Sequence, residues 1–474
     1  MKQNLKRLIS CLAVLCLIFT MLQGLGSLTR RKESDEKYHD FFAQEGDFDV
    51  LFLGSSHMMN AVYPMELWKD HGIVSYNMGG HASTLCVSYW VLQNALDYTT
   101  PKVVVVDAMG ISNDYKVHDT FEYMHHTFDS FPMSMNKLKA VFDLVEESEP
   151  GAGDKFSRQM EILWDFTTYH NRWSELTQED FAIAASPEKG GEMRVAVATP
   201  AEIPVVPADR KYQGNDYGKQ YLERIIRDCQ ARGIEVLLTF IPFPPDERRI
   251  MEANAIYDIA EEYGVRYINL LEEGSVDFTT DCFDTGSHLN TSGAHKVTAY
   301  LGEILRTDYG IPDQRENPLY AHWQEDMAEY DLYKLEMLRT QTQGYRYMMM
   351  LHDDEYSFVL ELNRWGRSHS EKYLALLRNM GIDPEAVSED ARYVIADRSQ
   401  GTVEYISLEG LRAGPVQTSL GLLTLEQGEE DYRILLDGEV CITGDNRNAS
   451  NYDYRTAVYS LDGELLDFQE MYLN

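Results

Sequence analysis

The sequence predicts an α/β protein: a parallel sheet with helices on its faces, followed by a smaller β-rich α+β domain. Three observations predict it. Between residues 46 and 310 short apolar runs alternate with helix-period stretches, the rhythm of strand–helix–strand units. One of these runs, residues 102–106, is almost continuous valine, as a strand covered on both faces requires. After Ile311-Pro312 the rhythm gives way to shorter runs separated by turn dipeptides.

The elements follow in order. Lys2, Lys6 and Arg7 precede an apolar run over residues 8–22 that continues more weakly to residue 28, and Arg30, Arg31 and Lys32 follow it. A bilayer span takes about 20 residues, so residues 1–28 are expected to form a membrane anchor. A cleaved signal segment is the alternative, with Gly24 and Gly26 as small residues ahead of Ser27. The length of the span and its basic flanks favour the anchor. Residues 29–45 read as a charged linker. Strands are expected at 48–53, 73–76, 102–106, 235–241 and 266–269, and helices at about 84–96, 217–232, 245–263 and 293–306. Residues 115–216 interrupt the pattern as a partly helical insertion. In the C-terminal domain, 311–474, a helix at 320–339 is followed by a hairpin pairing 348–351 with 356–362. Asp437-Gly438 and Asp462-Gly463 mark later turns.

Composition excludes some functions. Lys and Arg number 42 against 77 Asp and Glu, a formal charge of −35. No basic stripe exists to displace counterions from phosphates, so nucleic acid is not an expected partner. Of the six cysteines Cys11 and Cys16 lie in the apolar segment; Cys86, Cys229, Cys282 and Cys441 show no CxxC or Cys/His spacing, and buried single thiols are expected there rather than a metal site.

Ligands of open α/β sheets bind beyond the carboxyl ends of the strands. Gly54-Ser55-Ser56 follows the first expected strand, Asn77-Met78-Gly79-Gly80 the second, and Gly110-Ile111-Ser112-Asn113-Asp114 the third. Asp284-Thr285-Gly286-Ser287-His288-Leu289-Asn290 precedes the last helix. Together they supply the parts of nucleophilic acyl chemistry. A serine hydroxyl needs a base to take its proton during attack, and His288 has the side chain suited to it. A carboxylate on the other ring nitrogen fixes the tautomer; Asp284 is the first candidate and Asp281 the reserve. Backbone N–H groups of Ser56 and of the 79–82 loop (Gly80, Ala82), with the Asn113 amide, are candidate oxyanion donors, each worth about 3 kcal/mol in a transition state. His81 is a candidate pocket residue, and His170, Arg172 and Trp173 of the insertion are of recognition type, so substrate contact is a second reading beside simple packing. The chemistry needs no cofactor.

These motifs resemble those of the SGNH (GDSL-type) hydrolases. Phe52-Leu53-Gly54-Ser55-Ser56 resembles the block carrying the nucleophile, Asn113-Asp114 the Gly-x-Asn-Asp block, and Asp284 with His288 the final Asp-x-x-His block. Leu289-Asn290 with Gly293 suits the membrane-associated branch, which includes the teichoic-acid D-alanylation and alginate-acetylation proteins. The resemblance covers residues 47–309. It implies a flavodoxin-like sheet and a serine esterase or O-acyltransferase outside the cytoplasm. It further implies acylated cell-envelope glycans or exopolysaccharide as substrate, with a membrane O-acyltransferase as partner. Three departures stand out: Ser55 replaces the family's Asp, the Asn-Asp block has one extra residue after its glycine, and Asp284 precedes His288 by four positions rather than three. These departures and the large accessory domain motivate an alternative, a non-catalytic carbohydrate-binding or assembly protein on the same scaffold.

Overall fold

The computed structural model describes residues 2–30, 35–44, 46–118, 122–145, 155–181, 186–198, 202–284, 288–352, 355–362, 370–387, 391–445 and 452–473. The chain forms two compact units. One comprises Met1–Glu192, Ile203–Ser275 and Val297–Tyr330; the other comprises Met193–Glu202, Val276–Lys296 and Asp331–Asn474. The expected boundary at 310/311 therefore falls inside the first unit. Residues 276–296, which carry Asp284 and His288, fall inside the second.

The first unit begins with α1 (Lys2–Thr29), whose stretch Leu5–Thr29 is long and apolar enough to cross a membrane. The expected linker is instead partly a helix, α2 (Asp35–Ala43). Its apolar residues Tyr38, Phe41 and Phe42 recur at helical spacing among charges, and the Phe41 ring stacks on Phe48 at 5.2 Å. The sheet and its helices follow: β1 (Val50–Leu53), α3 (Ser56–Met59), α4 (Pro64–His71), β2 (Ser75–Asn77), α5 (Leu85–Ala95) and β3 (Val103–Asp107). The insertion holds α6 (Glu122–Phe128), α7 (Met135–Leu144), α8 (Lys155–Leu163) and α9 (Asp165–Tyr169), then 3₁₀ turns at His170–Ser174 and Glu179–Phe181. The core resumes with α10 (Tyr217–Ala231), β4 (Glu235–Phe240), α11 (Glu247–Tyr263) and β5 (Arg266–Asn269); α12 (Thr291–Thr307) and α13 (Trp323–Thr340) follow, each with part of its length in either unit.

The five strands run in the order β2-β1-β3-β4-β5, every pairing parallel. This is the order of flavodoxin-like doubly wound sheets. The valine strand β3 lies at the centre and is wholly buried, with Val103 to Val106 opposite β1 on one side and β4 on the other. Local signals set the helix ends. Thr84 accepts the Val87 N–H at 3.3 Å to start α5, and Gly264, at φ 63°, closes α11.

The second unit adds α14 (Gly344–Met350), β6 (Ser357–Leu362), α15 (Glu371–Asn379), β7 (Tyr393–Asp397), β8 (Thr402–Ile406), α16 (Leu408–Ala413) and β9 (Val416–Gln417). It ends with β10 (Leu422–Gln427), β11 (Asp431–Leu436), β12 (Glu439–Asp445), β13 (Tyr454–Tyr459) and β14 (Leu465–Met471). These form two antiparallel sheets, β14-β13-β6-β7-β8 and β12-β11-β10-β9. Asp437 (φ 50°) and Gly438 (φ 87°) make the tight turn between β11 and β12. The expected hairpin strand at 348–351 is wrong: Met348, Met349 and Met350 lie in α14, all buried. Unbranched methionine suits a helix, and a run of consecutive buried residues shows no period to tell a helix from a strand.

Candidate functional site

In the first unit three expected loops meet at the carboxyl ends of β1, β2 and β3. Ser56 opens α3 straight after β1, and Ser55 is the cap, its Oγ accepting the His57 N–H at 3.3 Å. That gives Ser55, the departure from the family pattern, a local role. Gly54 admits no side chain, because a Cβ there would lie 2.8 Å from Met58 Cβ and 2.9 Å from Asp107 Cβ. The β2 loop is bound to this turn: the Met78 N–H donates to Phe52 O at 2.8 Å and the Asn77 amide donates to Met58 O and Val62 O. Of the two loop amides expected as oxyanion donors, that of Gly80 donates to Gly54 O at 3.2 Å. Ala82 holds φ at 49°, a left-handed conformation that disfavours a residue with a Cβ. Asn113 closes a turn on Gly110, its N–H donating to Gly110 O at 3.0 Å and its carbonyl accepting the Gly218 N–H at 3.0 Å.

Three residues that sequence reasoning missed support these loops. Glu252 of α11 is fully buried; it accepts from the Gly110 N–H at 3.2 Å, from the Ser112 hydroxyl, and from Arg249 at 2.8 Å. The sign in the sequence was a carboxylate on the apolar face of a helix, four positions before Ile256. Asp107 ends β3; its Oδ1 accepts the Met109 and Ile241 N–H groups, each at 3.3 Å, and burial pushes its carboxyl up to about 7. Lys37 of α2 donates to Gly79 O and, at 2.6 Å, to Gly190 O. Burial pushes its ammonium down to about 7, against the pull of Glu192 and Glu188.

In the second unit the final motif forms a dyad. His288 Nδ1 lies 2.7 Å from Asp284 Oδ2, and the His288 backbone N–H donates to Asp284 Oδ1 at 3.1 Å. An antiparallel bridge between Cys282 and Leu289 holds the two sides, with the Phe283 N–H donating to His288 O at 2.9 Å. Thr285, Gly286 and Ser287 lie outside the described residues. The structure decides between the two candidate carboxylates. Asp281 is engaged elsewhere, accepting from Ser292 at 2.8 Å and pairing with Lys296 at 2.7 Å. With a proton on Nδ1 facing Asp284, Nε2 is the basic nitrogen of His288.

His81, in the first unit, is 41% exposed and lies 3.9 Å from Glu192 and 6.2 Å, ring to ring, from His126. The insertion motif lies along α1. Arg172 donates to Thr29 O at 2.6 Å and to Asp180 at 3.2 Å, while His170 Nδ1 lies 3.1 Å from Phe166 O. Trp173 is 72% exposed. The packing reading of this motif gains support, with α1 as the packing partner. No protein-family model matches the chain, and no curated protein is similar to it in sequence.

Proposed function

We propose that the chain is a membrane-anchored, extracytoplasmic serine esterase or O-acyltransferase of SGNH type, with Ser56 as nucleophile, His288 as base and Asp284 orienting the base. The observation that carries this reading is the Asp284–His288 pair at 2.7 Å, the contact by which a carboxylate selects the tautomer that general-base catalysis needs. The placement of Ser56 between a strand end and a helix start supports it, as does the five-stranded parallel sheet in its β2-β1-β3-β4-β5 order. In this chemistry the serine oxygen attacks an acyl carbonyl carbon while its proton passes to Nε2 of His288. Collapse of the tetrahedral adduct expels the alcohol, which takes that proton, and leaves an acyl-serine. Water then gives hydrolysis and a sugar hydroxyl gives transfer. The resemblance to polymer-modifying proteins makes acylated envelope glycans or exopolysaccharide the proposed substrate class, and a membrane O-acyltransferase the proposed acyl supplier.

The test is covalent labelling of full-length protein with a fluorophosphonate probe. The parent is expected to label, Ser56→Ala and His288→Ala to lose labelling, and Asp284→Asn to label slower by on the order of 10²–10⁴-fold. An unlabelled parent would favour the carbohydrate-binding alternative.

A further inference from the structure

The insertion offers a surface that the acyl chemistry does not use. Three of its elements, α9 and the two 3₁₀ turns, pack along α1. They are latched to the end of that helix directly, by Arg172 donating to Thr29 O at 2.6 Å, and through Asp129, whose carbonyl accepts from Arg30 at 2.6 Å and whose Oδ2 accepts from the Tyr169 hydroxyl at 2.5 Å. The contact continues down the apolar stretch, since the ring of Trp164, just before α9, lies 6.2 Å from that of Phe19. Phe19 precedes Thr29 by ten positions. At a rise of 1.5 Å per residue the insertion therefore reaches about 15 Å back along the helix from its end. The same elements turn large apolar rings to solvent: Trp173 is 72% exposed and Phe181 67%, with Phe156 of the adjoining α8 also at 67%.

We infer that α9 and the two 3₁₀ turns form a collar seated in the outer part of the lipid bilayer around α1, with Trp164, Trp173 and Phe181 at the level of the headgroups and upper acyl chains. The inference rests on the anchor reading of α1 and is independent of the serine chemistry. The lipid leaflet is the occupant because the collar is packed on the very segment whose length and composition suit a span. A bilayer-spanning α1 carries its neighbours into the same slab. An exposed tryptophan such as Trp173 favours that depth, where its ring is buried in lipid and its N–H stays wet, while Trp164 packs on the apolar stretch of α1 itself. The collar also reaches the candidate site: His126 of α6 lies beside His81, and Asp129, the residue after α6, accepts from Arg30 at the end of α1. A site so tethered works within a short helix of the membrane surface, suiting an acyl donor or acceptor presented there.

Tryptophan fluorescence of the full chain in nanodiscs of phosphatidylcholine brominated on its acyl chains tests this, because α1 contains no tryptophan. Bromine is expected to quench the parent, and the Trp164→Phe/Trp173→Phe variant to lose most of that quenching; Trp68→Phe, at a buried core residue, is expected to retain it. Circular dichroism melts establish that each variant is folded. Protein that resists alkaline carbonate extraction yet shows no bromine quenching at Trp164 or Trp173 would overturn the collar and leave the anchor standing. Protein released by carbonate would overturn both. Cross-linking between copies at position 173, with that tryptophan unquenched, would assign the surface to a second copy and overturn the collar.

Discussion

Asp107 and Lys37 show how single side chains set the pH response around the candidate site. Asp107 is raised by burial from 3.8 to about 7, so between those values the folded state holds a proton that the unfolded state has released. Its contribution is fully present below about pH 4 and is lost as pH rises to about 7. Lys37 is lowered by burial from 10.5 to about 7, so between those values the unfolded state binds the extra proton, and stability from this group rises with pH. Asp107→Asn is therefore expected to flatten the fall in stability between pH 4 and 7 and leave the slope above 7 unchanged, as read from urea midpoints across pH. Each unit of separation corresponds to about 1.4 kcal/mol. The residue scale also settles the dyad: two carboxylates precede His288, and hydrogen bonding assigns Asp284 to the ring and Asp281 to Ser292 and Lys296.

Among the elements, the β1–α3 connection is the most constrained. Its glycine faces Met58 and Asp107, and its serine cap starts the helix that carries Ser56. Gly54→Ala is expected to destabilise the protein by about 1–3 kcal/mol through overpacking, visible as a lower melting temperature, and to slow probe labelling of Ser56. In the second unit the elements are joined by a buried carboxylate. Glu361 of β6 accepts from Arg392 at 2.6 Å, from Tyr393 of β7 at 3.1 Å and from Tyr432 of β11 at 2.6 Å. Residues of both antiparallel sheets thus share one network.

Across the whole molecule the dominant electrostatic fact is a formal charge of −35. Folding concentrates that charge, and self-repulsion opposes the compact state. The melting temperature of the detergent-solubilised chain is expected to rise with sodium chloride, because screening shortens from about 10 Å at 0.1 M to about 3 Å at 1 M. A fall would mean that specific ion pairs, such as Lys189 with Asp326 at 2.8 Å, outweigh the general repulsion.

The five strands of the parallel sheet, the helices that became α5, α10, α11 and α12, the apolar helix at the N-terminus, the cap at Thr84 and the turn at Asp437-Gly438 were all determined by the sequence by itself, whereas α3 and α4 were not expected. Each depends on residues within a few positions of one another, and local backbone preference and periodicity are written in that range. Tertiary structure alone decided that α2 is a helix packed on the sheet, that the methionine run is helical, that Asp284 rather than Asp281 holds His288, and that Arg172 binds the end of α1. Such outcomes turn on burial and on partners distant in the chain. A charge between aromatic rings, an unpatterned apolar run or a pair of competing acids has the same local appearance whichever neighbour the fold supplies.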